Sequence, residues 1–462
     1  KSSTWPLEAI KQLTSLQQSA TANVRSAAPQ SAFLKNVLAR DPAYRQNLNA
    51  VRTPPEFVGD PFVSFLKLPS PSSDPAAPDA KLTFNPETVN AASGTSLVAA
   101  IALDAEKPMT IVTGDATGIQ IKDGPRLPLG SAPRMIAAID YNYDFKTDIA
   151  VATDTGLRLF RQEAAGGFTD VSASLPPGAS SGKTESVFAF DCDLDGDLDL
   201  LVSTDSGAII ARNNGDGSFK ELTAPGKLAG VRGFASADFD GDGDPDLAII
   251  DKSGFHLFFN ERLGNYKEVT VSVPQAMGVT AADLNSDGLM DFVILCSDGH
   301  VKQLTGREGK AEVSDLFSVP NGSLPLIAAD FDNNGSMDLL CGSRLALTDA
   351  AHKITLVDVP ASFLPKDVFD LNGDGYLDLI GLRDGGGAAA YSIKGSAAYQ
   401  AQTIRTRAAK TSGDQRINSF GIGGEVEIRS GLLTQKQIIN SPYLHFGLGS
   451  NTSADVARIV WP

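Results

Sequence analysis

The chain has 462 residues, too many for one compact core of ordinary size, so it calls for several domains or one repeat architecture. Hydrophobic residues make up 42% and charged residues 20%, and no run of ~20 apolar residues is present to cross a bilayer as a helix. The net charge of −16 is concentrated in residues 81–400, where 24 Lys/Arg face 45 Asp/Glu, a balance that repels nucleic acid and anionic lipid.

The chain opens at Lys1 without a leader, as expected where a targeting segment has been removed. Residues 1–53 read as a helical extension. Ala32 to Ala39 places apolar residues at helical spacing, and Asp41-Pro42 supplies an N-cap with proline at the first helical position. The pair resembles a single tetratricopeptide-like hairpin. Residues 54–80 form a proline-rich extended linker, including Pro69-Ser-Pro-Ser-Ser-Asp-Pro75.

From residue 81 to 400 the chain repeats itself. Six nine-residue segments begin at residues 140, 191, 238, 283, 330 and 370, a spacing of 40 to 51 residues that suits one four-stranded propeller blade each. In the first, positions 1, 3, 5, 7 and 9 are Asp140, Asn142, Asp144, Lys146 and Asp148, with Phe145 where the other five have glycine. The second has Asp191, Asp193, Asp195, Asp197 and Asp199; the third, Asp238, Asp240, Asp242, Asp244 and Asp246. The fourth has Asp283, Asn285, Asp287, Leu289 and Asp291; the fifth, Asp330, Asp332, Asn334, Ser336 and Asp338; the sixth, Asp370, Asn372, Asp374, Tyr376 and Asp378.

The third unit shows the blade plan. Residues 231–237 lead into the acidic loop, Leu247 to Ile250 follow as a buried strand, and Phe255 to Phe259 and Tyr266 to Thr270 complete the meander. An earlier stretch, Leu97 to Thr113, has the same strand–loop–strand shape, but its loop from Asp104 to Thr110 lacks the acidic spacing, so it reads as a blade without metal. About seven blades result. Closure removes sheet edges, so the last blade should borrow a strand from the start of the repeat region, and Lys81 to Phe84 is the candidate.

Alternate residues of a tight loop point to one side, so the side chains at positions 1, 3 and 5 converge. Glycine at position 6 turns the chain so that position 9 returns, and position 7 offers its backbone carbonyl. Hard oxygen ligands, ~6–8 of them and without His or Cys, suit calcium rather than zinc or copper, while magnesium demands stricter octahedral geometry. The loops hold 22 of the 55 acidic residues, and six divalent ions would bring −16 to −4. Up to six Ca2+ are therefore expected. Cys192, Cys296 and Cys341 are odd in number and lack any CxxC pair, which reads as buried inert thiols rather than a disulfide or zinc framework.

Residues 401–462 hold 7 Lys/Arg and 4 Asp/Glu and read as a small β-sandwich with strands near 402–407, 424–429, 434–439 and 456–461. Its positive charge is expected to dock it on the acidic propeller. The loops and their flanking strands resemble FG-GAP/VCBS repeats, the calcium-loop propeller family that includes the integrin α-chain head. Asn418 to Gly431, His445-Phe-Gly-Leu-Gly449 and the closing Trp461-Pro462 are similar to the ASPIC/UnbV module that follows such propellers in cartilage acidic protein and bacterial relatives. That module commonly runs past its Trp-Pro. The resemblance implies calcium binding and a secreted, periplasmic or cell-surface location, and it supplies no established reaction.

Enzyme motifs are near misses. Gly178-Ala-Ser-Ser-Gly-Lys-Thr184 is one residue short of a phosphate loop and lacks a parallel strand to feed it, so it reads as a turn between blades. His256, His300, His352 and His445 are scattered; His256 reads as strand packing and His445 as a structural part of the module. No catalytic residue is assigned. The expected function is a calcium-rigidified, extracytoplasmic interaction or adhesion module, or an accessory subunit of an assembly, with a protein partner. The alternative is a carbohydrate-binding or carbohydrate-active propeller, lectin or lyase, which calls for an Arg/Lys cleft and a base away from the acidic loops.

Overall fold

In the computed structural model the described residues are 77–462, apart from 105, 205, 308–309, 321, 350 and 410–417. The helical extension expected over 1–53 and nearly all of the linker therefore lie outside the described residues.

Seven four-stranded antiparallel sheets make up the propeller, six of them simple meanders of consecutive strands. The first blade comprises Leu97–Ile101, Thr110–Asp115, Gly118–Ile121 and Arg126–Pro128. In the third, Thr184–Phe190, Asp199–Thr204, Gly207–Asn213 and Phe219–Thr223 are paired in order. Second strands such as Asp199–Thr204 are buried throughout because both faces are covered, which is why they read as unbroken apolar runs. Alternate residues then serve different neighbours: Leu200 and Val202 pack toward the second blade and Leu201 toward the fourth.

Seven buried clusters sit between neighbouring blades, and together they close the ring. Val112 and Ile121 of the first blade meet Ile149 and Val151 of the second. At the other end, Ile380 and Ala390 of the seventh blade meet Val98 and Ile111 of the first. The seventh blade, Phe363–Phe369, Asp378–Arg383 and Ala388–Lys394, takes its outer strand from Thr83–Glu87, which pairs Thr83 with Lys394 and Glu87 with Ala390. The closing strand thus starts two residues beyond the expected Lys81, because Leu82 turns into the core under the blade. Gly178 and its neighbours form one helical turn, Pro177–Ser180, between the second and third blades. All three cysteines are free and buried.

The C-terminal module has two sheets. Gln400–Arg405 pairs with Tyr443–Gly449, and Glu425–Ser430 is flanked by Leu433–Ile438 and Val456–Val460. Val426, Ile428, Ile439, Leu444, Phe446 and Leu448 form its core. The strand Tyr443–Gly449 was not expected from sequence. Ile422, Ile438 and Ile439 of the module, with the inner strands of the second to fifth blades, line a largely apolar cavity of about 320 Å³. The module therefore lies across one mouth of the central channel.

Candidate metal centres

Each acidic loop joins the first and second strands of its blade, so all six project from the same end of the ring. Position 9 is the first residue of the second strand in every case: Asp148, Asp199, Asp246, Asp291, Asp338 and Asp378. All six are nearly inaccessible to solvent.

One hydrogen-bond code recurs. The carboxylate at position 1 accepts from the backbone N–H at position 6 in five loops, from Phe145, Gly196, Gly288, Gly335 and Gly375, at 2.8–3.0 Å. In the third loop Asp238 accepts instead from Gly241 at 2.9 Å. The position 5 side chain accepts from the position 7 N–H in all six loops, at 2.7–3.0 Å. Position 9 accepts from the position 2 N–H in five, and with its other oxygen from the third strand, at Gln162, Asn213, Asn260, Thr348 and Ile393. Asp291, the exception, accepts from the Gln303 side chain.

The backbone at position 6 is left-handed in all six loops, with φ from +66° at Phe145 to +98° at Gly335. Glycine adopts this without penalty, whereas a bulky residue does so only where its surroundings over-determine it. Phe145 is held by the Phe420 ring at 6.4 Å and by the Arg407 guanidinium over its face. Position 4 is left-handed as well, even at Tyr143, Leu194, Ser286 and Asn333. Two left-handed turns per loop direct successive N–H groups at the position 1 carboxylate.

The acidic side chains gather. Ligand oxygens of Asp191, Asp193 and Asp195 lie within 4.8 Å of one another, as do those of Asp238, Asp240 and Asp242, and those of Asp330, Asp332 and Asp338. Burial raises these groups: Asp148 and Asp246 to about 8, Asp199, Asp283 and Asp378 to about 7, and Asp140, Asp191 and Asp332 to about 6. Asp330 and Asp338 are pushed well above the carboxylate range by burial and then by neighbouring carboxylates. Side-chain cations offset part of this charge elsewhere. Arg212 spans Asp193 and Asp195 at 2.6 Å each, Arg262 pairs with Asp244, and Lys146 lies 2.7 Å from Asp144.

Whether these residues suit a hard cation can be tested on their lone pairs. Asn142 Oδ1, Asp193 Oδ1 and Asp330 Oδ1 are buried and accept no hydrogen bond. They stand at positions 3, 3 and 1, where a shared cation would be coordinated, so the donor set fits a divalent ion with oxygen preference. At position 7 the Lys146 ammonium turns to Asp144 and the Tyr376 hydroxyl to the Ala397 carbonyl at 3.2 Å, which leaves the main-chain oxygen as what this position offers.

Sequence reasoning missed the residues that reach the loops from elsewhere. Asp79 N donates to Asp332 Oδ2 at 2.7 Å, and Lys436 Nζ to the Gly288 carbonyl at 3.1 Å. His445 Nε2 lies 2.7 Å from Asn333 Oδ1, whose amide is oriented by Nδ2 donating to the Gly375 carbonyl at 2.8 Å. His445 therefore carries its proton on Nε2, and burial pulls it down to about 4, so it is neutral at neutral pH. Cationic side chains of the module do reach the propeller, with Arg405 donating to the Glu106 carbonyl at 2.8 Å. Arg407–Glu106 is an ion pair across this interface, but Lys436 is paired within the module to Glu425 at 2.6 Å. Neutral hydrogen bonds join them, between His445 and Asn333 and from Gly449 N to the Asn333 carbonyl.

Four overlapping stretches, residues 140–202, 191–249, 238–294 and 283–341, match the family model described as FG-GAP-like repeat. No curated protein matches the chain. Among solved structures, BBS1N in complex with ARL6DN is similar at 14% identity and a TM-score of 0.46, over 68% of this chain and 98% of that one. A lectin of Agrocybe aegerita that recognises non-reducing terminal N-acetylglucosamine is similar at 18% identity and a TM-score of 0.44, over 62% and 87%. Residues 140–341 thus carry four FG-GAP-like repeats, set within a seven-bladed propeller.

Proposed function

We propose that the protein is a calcium-loaded propeller that works outside the cytoplasm as a rigid interaction module, without catalysis of its own. Side chains at positions 1, 3, 5 and 9 and the carbonyl at 7 would hold one ion per loop. The bound ion would neutralise the clustered carboxylates and fix the two left-handed turns, stiffening the face on which the six loops stand. The observation that carries this reading is the set of buried, donor-free oxygens Asn142 Oδ1, Asp193 Oδ1 and Asp330 Oδ1 at ligand positions of a repeated loop.

Four of the six loops mix Asp with Asn ligands, a lowered charge that suits extracellular calcium, where module sites bind at ~10⁻⁴–10⁻³ M. That supports placing the protein in a secreted, periplasmic or cell-surface setting. Stiff propellers that present many loops suit a protein partner. Calorimetric titration tests the reading: calcium should bind with heat while magnesium fails to substitute. Absence of calcium binding would overturn it, and fractionation that placed the native protein in the cytoplasm would overturn the location.

A further inference from the structure

The module touches several loops, but only in the sixth blade are the side chains at positions 1, 3, 5 and 9 all buried, Asp330, Asp332, Asn334 and Asp338. Asp330, Asp332, Asn333, Asn334 and Asp338 are each at most 1% exposed, whereas in the fourth blade Asp238 and Asp240 are half-buried and Asp242 is exposed. Among the described residues no lysine or arginine pairs with the three carboxylates of this loop, although Lys146, Arg212 and Arg262 pair with loop carboxylates in the second, third and fourth blades respectively. Three buried carboxylates without a positive partner are costly to hold unless an ion lies among them.

The C-terminal module roofs this loop. Gln435 Nε2 donates to Asp330 Oδ2 at 3.1 Å and to the Gly447 carbonyl at 3.0 Å. Two acceptors fix which end of the amide points at the loop, and Gln435 Oε1 is buried without a partner. Gly449 N donates to the Asn333 carbonyl at 2.8 Å. Fit is tight: a Cβ on Gly447 would lie 2.0 Å from Asp330 Oδ2, and one on Gly335 would lie 2.6 Å from Leu433. Asp330 Oδ2 is thus engaged by Gly335 N and Gln435, leaving Oδ1 as its free lone-pair bearer.

We infer that the ion held by Asp330, Asp332 and Asp338 is shared between propeller and module: the module closes its site, Gln435 positions Asp330, and ion retention and module docking support each other. This rests on the calcium reading above. Linkage requires the two to be reciprocal, so whatever loosens the module must release this ion, and removal of the ion must loosen the module. The loops open to solvent exchange their ions freely, and the roofed one exchanges slowly.

The test uses the full chain loaded with calcium and then mixed with excess EGTA. Ions retained are counted by native mass spectrometry, and hydrogen exchange is followed in residues 433–449. One ion should leave last, and protection of 433–449 should fall with that ion and not with the earlier ones. Gln435→Ala should speed release of the last ion by about tenfold or more, as loss of an outer-shell partner does, with protection of 425–430 unchanged in saturating calcium. Asp332→Asn should lose one ion and loosen the module, and Gln435→Ala decides alone if that variant fails to fold. Ions that all leave together, or a last ion whose loss does not alter module protection, would overturn the shared site and leave the calcium reading intact. A wild-type chain that binds no calcium would overturn both.

Discussion

Asp199 accepts a hydrogen bond of 2.7 Å from the backbone N–H of Asn213, at the end of the next strand, while its other oxygen accepts from Cys192 N at 2.8 Å. One carboxylate thereby ties the acidic loop, the second strand and the third strand together. Four other blades repeat the tie, at Asp148, Asp246, Asp338 and Asp378. The position 9 aspartate is therefore a backbone clamp as well as a candidate ligand, and the two roles are separable.

Asp246→Asn separates them. Both carboxylate oxygens of Asp246 accept backbone N–H groups, from Asn260 at 2.8 Å and Phe239 at 3.2 Å. An amide must turn its NH₂ toward one of these donors, and an unsatisfied buried N–H costs ~1–3 kcal/mol. Urea unfolding should show that loss in EGTA as well as in calcium. A variant as stable as the wild type in EGTA would show that the clamp contributes nothing.

Ring closure makes a second prediction. Ile393 is fully buried beside the borrowed strand, in the cluster between the sixth and seventh blades. Ile393→Ala should cost ~2–5 kcal/mol in denaturant unfolding and increase hydrogen exchange in Thr83–Glu87 as well as locally. Unchanged exchange in 83–87 would mean that the borrowed strand does not depend on this core.

The blade plan was legible because each second strand is buried on both faces and so reads as an apolar run, and because the loop needs oxygen donors at fixed alternation. The module's strand Tyr443–Gly449 was not legible. Its two glycines and histidine look like a loop, yet Gly447 is there because the Asp330 carboxylate presses on it and His445 because Asn333 needs a donor. The docking mode was hidden for the same reason. Charge asymmetry is visible in a sequence, whereas Gln435 meeting Asp330 depends on where two distant segments are brought together. Left-handed Tyr143 and Leu194 were likewise invisible, since those residue types ordinarily avoid that conformation.

His256 gives a pH dependence outside the loops. Burial lowers its affinity for a proton, but Glu268 at 2.8 Å and Asp251 at 3.1 Å outweigh this and hold it above its usual 6.5. A raised folded-state value stabilises the fold fully below 6.5 and loses that contribution as pH rises through the folded value. In saturating calcium, wild type minus His256→Gln stability should be largest near pH 6 and shrink above 6.5. A difference that grew with pH would contradict the assigned contacts.

The central claim is that the repeated acidic loops hold calcium and that the ions stiffen the ring. Native mass spectrometry of the full chain in calcium, paired with thermal unfolding before and after EGTA, tests it most directly. Several bound calcium ions, up to one per acidic loop, and a clear fall in unfolding temperature on chelation are the expected result. A chain that carries no calcium, or one whose unfolding temperature is the same with and without chelator, would contradict the account.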